Sequence, residues 1–159
     1  PVPFALPLPH RILSKALAAA ALALPLLMPA GVQAREFVSI KGNAVNVREK
    51  PSTRSATLWE LGRGYPLQVQ QRKGRWLQVR DFEEPLGWVY APLTSKTPHR
   101  VVTARVANLR AGPGQQHKTV GKLQQHEVVR SLGQSGSWAR VQREDGQKGW
   151  VARRLTWGW

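Results

Sequence analysis

The sequence lacks cysteine altogether and is poor in acidic residues. No Cys occurs among its 159 residues, which excludes disulfide bonds, a cysteine nucleophile and thiolate metal ligands. Asp and Glu together number 9 against 24 Lys and Arg, so the formal net charge is +15. Stability must therefore come from packing and hydrogen bonds, and the charge predicts anionic partners without predicting a fold.

Long apolar runs are absent apart from one near the start. Residues 16 to 28 form an apolar run of 13 residues, which is shorter than the roughly 20 residues of a membrane span. Basic residues precede this run, Pro29 follows it, and "VQA" ends at Ala34. This order is typical of a secretory signal peptide. We predict that residues 1 to 34 are a signal peptide, cleaved after Ala34.

Cleavage would leave a basic protein in the periplasm or outside the cell, with no membrane span. Residues 35 to 159 keep 22 basic and 9 acidic residues, and an exported protein meets anionic wall polymers, lipid headgroups and acidic proteins first. Nucleic acid is a common partner of basic proteins, but export argues against it. The alternative is that scattered basic residues serve only solubility, because no more than two are adjacent.

One half of the remaining sequence repeats the other at an offset of 62 residues. "VNVREKPS" at 45 to 52 returns as "ANLRAGPG" at 107 to 114, and "GWV" at 87 to 89 returns at 149 to 151. An offset held without net insertion indicates duplication of a folded unit. We predict a first domain at 35 to 94, a linker at 95 to 101 and a second domain at 102 to 159.

Each unit reads as short strands separated by turns. "NAVNVR", "PLQVQ", "RWLQVR" and "GWVY" alternate apolar and polar residues or are rich in branched and aromatic ones, and groups such as "EKPS", "RKG" and "EDG" punctuate them. Several short strands in some 60 residues predict a small antiparallel barrel or sandwich. "RSATLWELGRG" and its counterpart "HKTVGKLQQHE" are expected to form long loops with at most one helical turn.

The motifs "VNVREKPS" and "ANLRAGPG", each followed by a Trp, a "GWV" and a closing Leu, resemble the bacterial SH3-like domain. The whole of residues 37 to 159, opening with "FVSIKGNAVNVREKPS" and closing with "LTWGW", is similar to exported proteobacterial proteins that hold two such domains in tandem. The resemblance implies an all-β protein with two small SH3-like antiparallel barrels in tandem. It further implies ligand binding without catalysis, and peptidoglycan or its peptide stems as the material that is recognised.

Residues present in both copies are interpreted as structural. Asn46 and Asn108 are expected to stabilise a turn through their side chains. Arg48 and Arg110 could bridge carbonyl groups or clamp a carboxylate or phosphate, and we favour the bridge because both stand beside the same turn. The repeated tryptophans are expected to fill the two cores, since so small a domain must recruit large apolar side chains; they are Trp76, Trp88, Trp138 and Trp150.

Aromatic residues that the repeat does not require are better ligand candidates. Trp59 corresponds to Gly121, Tyr65 to Glu127, and Tyr90 to Ala152. We predict a groove in which two aromatic rings stack on sugar or peptide while arginines attract carboxylates; its residues are Trp59, Tyr65, Arg48, Arg63, Arg72 and Arg75. Packing between the domains is the alternative for the two aromatics. The tail "LTWGW" is expected to fold back over a barrel edge.

The sequence offers little for catalysis or metal binding. The three histidines after residue 34 are His99, His117 and His126; they lie outside any Ser- or Asp-bearing motif and make a poor ligand set for zinc. We expect no catalytic residue, no metal site and no cofactor. The leading hypothesis is an envelope-binding module for peptidoglycan or another anionic envelope polymer. A periplasmic adaptor between envelope proteins is the alternative, and nucleic-acid binding is the least favoured.

Overall fold

Two antiparallel sheets of seven strands each make up the described part of the chain. The computed structural model describes residues 34–83 and 85–159, so residues 1–33 of the predicted signal peptide lie outside the described part. The first sheet contains β1 (Phe37–Ile40), β2 (Val45–Arg48), β3 (Thr57–Leu61), β4 (Pro66–Lys73), β5 (Trp76–Arg80), β6 (Leu86–Tyr90) and β7 (Thr94–Ser95). The second contains β8 (His99–Val102), β9 (Val106–Arg110), β10 (Thr119–Gln124), β11 (Val128–Ser135), β12 (Trp138–Gln142), β13 (Lys148–Ala152) and β14 (Thr156–Gly158). The predicted all-β fold is confirmed.

The helical content of the described residues is confined to single turns. Short 3-10 turns at Ala91–Leu93 and Arg153–Leu155 precede the last strand of each sheet. No helix within residues 34–83 and 85–159 has the length and hydropathy needed to cross a bilayer.

The 62-residue repeat of the sequence is reproduced strand for strand. β4 and β11, β5 and β12, and β6 and β13 begin and end 62 residues apart. The first sheet has the order β3-β2-β6-β5-β4-β1-β7, and the second has the matching order β10-β9-β13-β12-β11-β8-β14. The duplication is confirmed. Each order is open, with β3 and β7, or β10 and β14, at its two ends, so the hydrogen-bonded strands do not close into the expected barrel.

A short connection joins the two sheets. β7 ends at Ser95 and β8 begins at His99. The residues from His99 to Val101, which the sequence placed in a linker, pair with β11 and β14. Because β14 pairs with β8, the C-terminal tail covers that strand, as the sequence analysis expected.

The two segments expected to be long loops contain edge strands. β3 pairs with β2, placing Leu61 opposite Val45 and Trp59 opposite Val47, and β10 pairs with β9 in the same way. The loop prediction is wrong here. Pairing with a neighbouring strand outweighs the helical propensity of the Leu and Glu residues, because local propensity is a weak determinant compared with tertiary context.

Each sheet packs around its own apolar core. Strand side chains alternate between two faces. In β5, Leu77 and Val79 point into the core while Gln78 between them does not. The first core consists of Val38, Ile40, Val45, Val47, Leu67, Leu77, Val79 and Val89. The second consists of Val102, Ala107, Leu109, Leu123, Val129, Ala139, Val141 and Val151. Residues 35 to 159 thus contain both cores and every described strand.

The four repeated tryptophans lie outside both cores, and their prediction as core residues is wrong. All four are only partly buried. Each lies next to a core residue in its strand, so its side chain faces the side of the sheet opposite the core. The aromatics that do pack against the first core are Trp59 and Tyr65. The outer face of each sheet therefore carries the tryptophans that the duplication preserved.

The two domains touch through aromatic side chains within one compact unit. The ring of Phe37 lies 5.0 Å from Trp157 and 5.6 Å from Trp159, measured between ring centroids. At another part of the contact, the ring centroid of Phe82 lies 5.8 Å from that of His126. Aromatic pairs at such distances stabilise an interface beyond the apolar area that they bury.

Candidate functional site

The repeated Asn-x-Arg motif builds the same loop in both domains. Arg48 Nη1 donates to the carbonyl oxygen of Ser55 at 2.9 Å, and Arg110 Nη1 donates to the carbonyl oxygen of His117 at 3.0 Å. Each loop is also closed by a backbone hydrogen bond of 3.0 Å, from the N–H of Glu49 to the carbonyl oxygen of Ala56 and from the N–H of Ala111 to that of Lys118. Both arginines therefore bind loop carbonyl groups, Arg48 one and Arg110 two, which agrees with the favoured structural interpretation. They hold the loop that forms one wall of a groove.

The second domain has an open groove between this loop and the 3-10 turn at Arg153–Leu155. We call it groove 2, and its volume is about 730 Å³. One wall comes from β9 and its loop, the floor from β12, and the other wall from the end of β13 and the turn. Its lining residues are Val106, Asn108, Arg110, Pro113, Gly114, Gln115, Gln116, Ser137, Trp138, Ala152, Arg153, Arg154 and Leu155.

Three arginines and no acidic residue line groove 2. Arg110 is bonded within its loop, and Arg153 Nη1 donates to the carbonyl oxygen of Gly136 at 3.3 Å. Arg154 is exposed and has no hydrogen bond or ion pair with any residue that the structure describes. Its guanidinium group is therefore available to a ligand, and its five donors form a fork that matches a carboxylate or phosphate.

A further arginine lies close to this groove. Arg100 is 5% exposed, and its Nε donates to Thr156 Oγ1 at 2.7 Å. Burial, followed by the nearby positive charge of Arg153, lowers the pKa of Arg100 to about 10. Arg100 therefore remains charged at neutral pH and adds to the positive potential around groove 2, which favours an anionic ligand.

The first domain carries the same groove in a filled form. Groove 1 has a volume of about 160 Å³, and its lining includes Asn46, Arg48, Trp76 and Tyr90. These positions correspond to Asn108, Arg110, Trp138 and Ala152 of groove 2, each 62 residues later. The two grooves thus share their motif residues and differ at the position of Tyr90.

Tyr90 packs on the tryptophan of groove 1. It is the direct cross-strand partner of Trp76, and the two ring centroids lie 5.3 Å apart. Arg75 Nη1 donates to the Tyr90 hydroxyl oxygen at 3.2 Å. In the second domain, Ala152 replaces Tyr90 and Ser137 replaces Arg75, so both large side chains are missing and Trp138 faces open space.

The two aromatics that the sequence predicted as ligand-binding residues make contacts within the first domain. Trp59 and Tyr65 pack against the first core. The Tyr65 hydroxyl donates to Asp81 Oδ2 at 3.1 Å, and burial, followed by the charge of Asp81, raises the pKa of Tyr65. The structure thus places both rings against the core instead of along an open groove.

The four predicted arginines lie at three separate places, with Arg48 and Arg75 both at groove 1. Arg48 lines groove 1 and Arg75 binds Tyr90 there, whereas Arg63 Nε donates to Asn43 Oδ1 at 3.1 Å. Arg72 forms an ion pair with Glu36. Hydrogen bonding from Lys96, together with the charges of Lys96 and Arg72, lowers the pKa of Glu36. The six predicted residues are therefore not brought together in one groove.

Sequence reasoning missed groove 2. Asn46 and Asn108 lie within β2 and β9 and not in a turn, so their assignment as turn residues is wrong and Asn108 is a lining residue instead. The signal that could have found the groove is the change between the copies, because Arg153 and Arg154 stand where the first domain has Ala91 and Pro92. A charged residue that only one copy carries is not required by the fold that both copies share.

The described residues offer no cluster of three or more His, Cys, Asp or Glu side chains that could hold a metal ion. Groove 2 likewise contains no histidine or carboxylate in its lining. The lining offers an aromatic ring, guanidinium groups, side-chain amides and backbone.

Comparison with known proteins agrees with the fold. The bacterial SH3 domain matches the chain twice, at residues 41–96 and at residues 105–156, and the two matches together cover more than half of it. No curated protein sequence matches the chain.

Solved structures with a similar arrangement have low sequence identity. NlpC2 from Trichomonas vaginalis is 12% identical, with a TM-score of 0.37 over 79% of this chain and 48% of its own. An NlpC/P60 family protein from Bacillus cereus is 17% identical, with a TM-score of 0.33 over 78% of this chain and 56% of its own. The structure titled "Endolysin LysPBC5 CBD" is 14% identical, with a TM-score of 0.31 over 77% of this chain and 92% of its own. The chain spans about half the length of the two NlpC structures. By its two domain matches, the chain belongs to the bacterial SH3 domain family and carries two such domains in tandem.

Proposed function

We propose that this protein is a non-enzymatic binding module of the cell envelope, and that groove 2 binds wall material, namely peptidoglycan or its peptide stems. One observation carries the proposal: groove 2 is open and joins a partly buried tryptophan ring to three arginines without any acidic residue. Such a lining suits a ligand with an apolar or sugar face and a carboxylate. Membership in the bacterial SH3 family supports the same ligand class through the resemblance described above.

Binding would use the floor and the walls of the groove for different tasks. The partly buried ring of Trp138 provides a flat surface held by its strand, so little conformational freedom is lost when a ligand packs on it. Arg154 has no partner among the described residues and can offer a carboxylate two parallel N–H donors. Arg110 is held by its loop carbonyls, so it keeps the wall in place and adds positive charge.

Groove 2 offers no catalytic machinery to its ligand. Nucleophilic catalysis needs a hydroxyl beside a base that can take its proton, and Ser137 is the one hydroxyl side chain in the lining, where no histidine or carboxylate accompanies it. The proposal therefore assigns binding and no reaction to the groove. It also places the protein in the periplasm or outside the cell, on the strength of the predicted signal peptide, because wall material lies there.

Co-sedimentation with insoluble purified peptidoglycan tests the proposal. Residues 35 to 159 would be incubated with peptidoglycan at low and at physiological salt. An Arg153→Ala, Arg154→Ala variant removes two charges from groove 2. An Arg140→Ala, Lys148→Ala variant removes two charges from exposed positions of the same domain outside the groove, and so controls for net charge.

We expect the wild type to sediment at physiological salt and the groove variant to bind about tenfold more weakly, since charge-assisted hydrogen bonds contribute about 1.5–3 kcal/mol. The control variant should remain within about twofold, because exposed charges are screened at this ionic strength. Failure of the wild type to sediment would contradict the proposal. An equal loss in both variants would show attraction by net charge alone and would remove the groove from the account.

A further inference from the structure

We infer that Tyr90 is a built-in occupant of groove 1, and that the protein therefore binds one ligand per chain, in the second domain. The identity of that ligand rests on the proposed function. The closure of groove 1 by Tyr90 rests on the geometry of the two copies and can be tested without the ligand.

The two grooves are equivalent by position. β5 and β12 carry Trp76 and Trp138 at the same place in the strand, and each is paired with the last residue of the next strand, Tyr90 or Ala152. The Arg of the repeated motif makes the same carbonyl bond in both copies. Groove 1 therefore corresponds to groove 2 with a tyrosine at the position of Ala152 and an arginine at the position of Ser137.

Two contacts hold Tyr90 in place. Side chains directly opposite each other on antiparallel strands are close enough to pack, and the Tyr90 ring lies 5.3 Å from that of Trp76. Arg75 fixes the other end of the side chain by donating to its hydroxyl oxygen. A ligand would have to break both contacts of a side chain that already fills the groove. Groove 1 is therefore closed to a ligand.

The contacts of Tyr90 also indicate what groove 2 accepts. In groove 1 the tryptophan face takes a flat ring, and an arginine takes the oxygen at its far end. In groove 2 the oxygen-binding arginine is lost at Ser137, but Arg153 and Arg154 appear on the wall formed by the 3-10 turn. The ligand of groove 2 should thus place a ring or apolar face on Trp138 and direct an anionic oxygen toward that turn.

An NMR titration with p-cresol, the free side chain of tyrosine, tests the inference. The seven tryptophans each give one indole N–H signal in residues 35 to 159, and Trp76→Phe and Trp138→Phe variants assign the two signals of interest. In the wild type we expect p-cresol to shift the Trp138 signal saturably and to leave the Trp76 signal unchanged. In Tyr90→Ala both signals should shift. In the Ser137→Arg, Ala152→Tyr variant, which supplies both contacts of Tyr90 in groove 2, neither signal should shift.

Two results would overturn the inference. One is a shift of the Trp76 signal in the wild type equal to that of Trp138, because groove 1 would then be open. The other is an unchanged response of Trp138 in the Ser137→Arg, Ala152→Tyr variant. If Tyr90→Ala does not fold, this double variant still decides, because the first domain shows that the fold accepts an arginine and a tyrosine at these positions.

Sedimentation of the same variants with insoluble peptidoglycan separates this inference from the proposed function. We expect the Ser137→Arg, Ala152→Tyr variant to lose about tenfold in binding and Tyr90→Ala to bind at least as well as the wild type. If the double variant blocks p-cresol but still binds peptidoglycan like the wild type, the closure by Tyr90 stands and groove 2 is not the wall site. If p-cresol does not distinguish the grooves, the inference fails whatever the peptidoglycan result.

Discussion

Arg143 and Glu127 form an ion pair at the place where the first domain has Asp81 and Tyr65. Arg143 Nε lies 2.7 Å from Glu127 Oε1, and Nη2 lies 3.3 Å from Oε2. In the first domain the corresponding contact is the 3.1 Å hydrogen bond from the Tyr65 hydroxyl to Asp81. The two copies thus bridge the same two segments by different chemistry, which gives Tyr65 a structural role.

Replacement of Tyr65 by Phe tests this role. The ring and its packing against the core would remain while the hydrogen bond to Asp81 is lost, so the free energy of unfolding should fall by about 1 kcal/mol. Urea denaturation measures the change, and peptidoglycan sedimentation should be unaffected. If Tyr65→Phe instead lost sedimentation with peptidoglycan while its free energy of unfolding was unchanged, Tyr65 would be a ligand-binding residue.

Removal of Arg143 should cost more. Arg143→Met leaves the carboxylate of Glu127, whose side chain is only 22% exposed, without its charged partner, and we expect a loss of about 1.5–3 kcal/mol in the free energy of unfolding. Adding Glu127→Gln should recover part of this loss, because the unpaired charge disappears. Glu127→Gln alone completes the double-mutant cycle, and a coupling energy of zero between the two substitutions would contradict this role of the pair.

The glycine of the repeated "GWV" motif is required by close packing. A Cβ at Gly149 would lie 2.6 Å from Leu109 Cγ and 2.9 Å from the carbonyl oxygen of Arg110. Gly149→Ala should therefore destabilise the second domain by about 1–3 kcal/mol, as overpacked sites do. Gly62→Ala is the matched control, since a Cβ there meets nothing nearer than 3.8 Å; thermal unfolding of both variants gives the comparison. Similar effects would refute the packing argument.

A histidine between the domains should make stability depend on pH. The ring of His99 packs beside Gly64, where a Cβ would lie 2.7 Å from Cδ2, and burial lowers the pKa of His99 below its usual 6.5. The unfolded chain takes up this proton near pH 6.5 but the folded protein resists it. The contribution of His99 to stability is therefore complete above pH 6.5 and is lost as the pH falls through its folded pKa.

Denaturation curves at pH 7.5 and pH 5 would measure this dependence in the wild type and in His99→Phe. The wild type should lose more stability between the two pH values than the variant, which has no titrating group at this position. The difference between the proteins isolates His99 from other groups that titrate in the same range. An identical loss of stability in the wild type and in His99→Phe would show that other groups cause the pH dependence.

The fold could be predicted from the sequence because its signals are local and occur twice. Alternating valines and leucines and the 62-residue offset fix the strands, their faces and the duplication. The strand β3 was missed because its sequence has helical propensity, so the inward position of Trp59 could not be foreseen. The large size of Trp76 suggested a core position, although its neighbours Leu77 and Val79 already occupy the inward face.

The groove could not be predicted because it depends on which side chains are absent from an outward face. The repeat draws attention to residues that both copies share, and those residues form the walls. Whether the walls enclose open space depends on one residue, which is Tyr90 in the first domain and Ala152 in the second. The cross-strand partners of these two residues become evident only in the structure.

The most direct test of wall binding through groove 2 compares the two equivalent tryptophans. Trp76→Ala and Trp138→Ala remove the same side chain from matching, partly buried positions of the two domains, so general effects on folding are balanced. Sedimentation with purified peptidoglycan at physiological salt should be weakened about tenfold by Trp138→Ala, since stacking on an aromatic ring adds about 0.5–1.5 kcal/mol beyond its area burial. Trp76→Ala should bind like the wild type. Equal binding by both variants, or a greater loss in Trp76→Ala, would contradict the account.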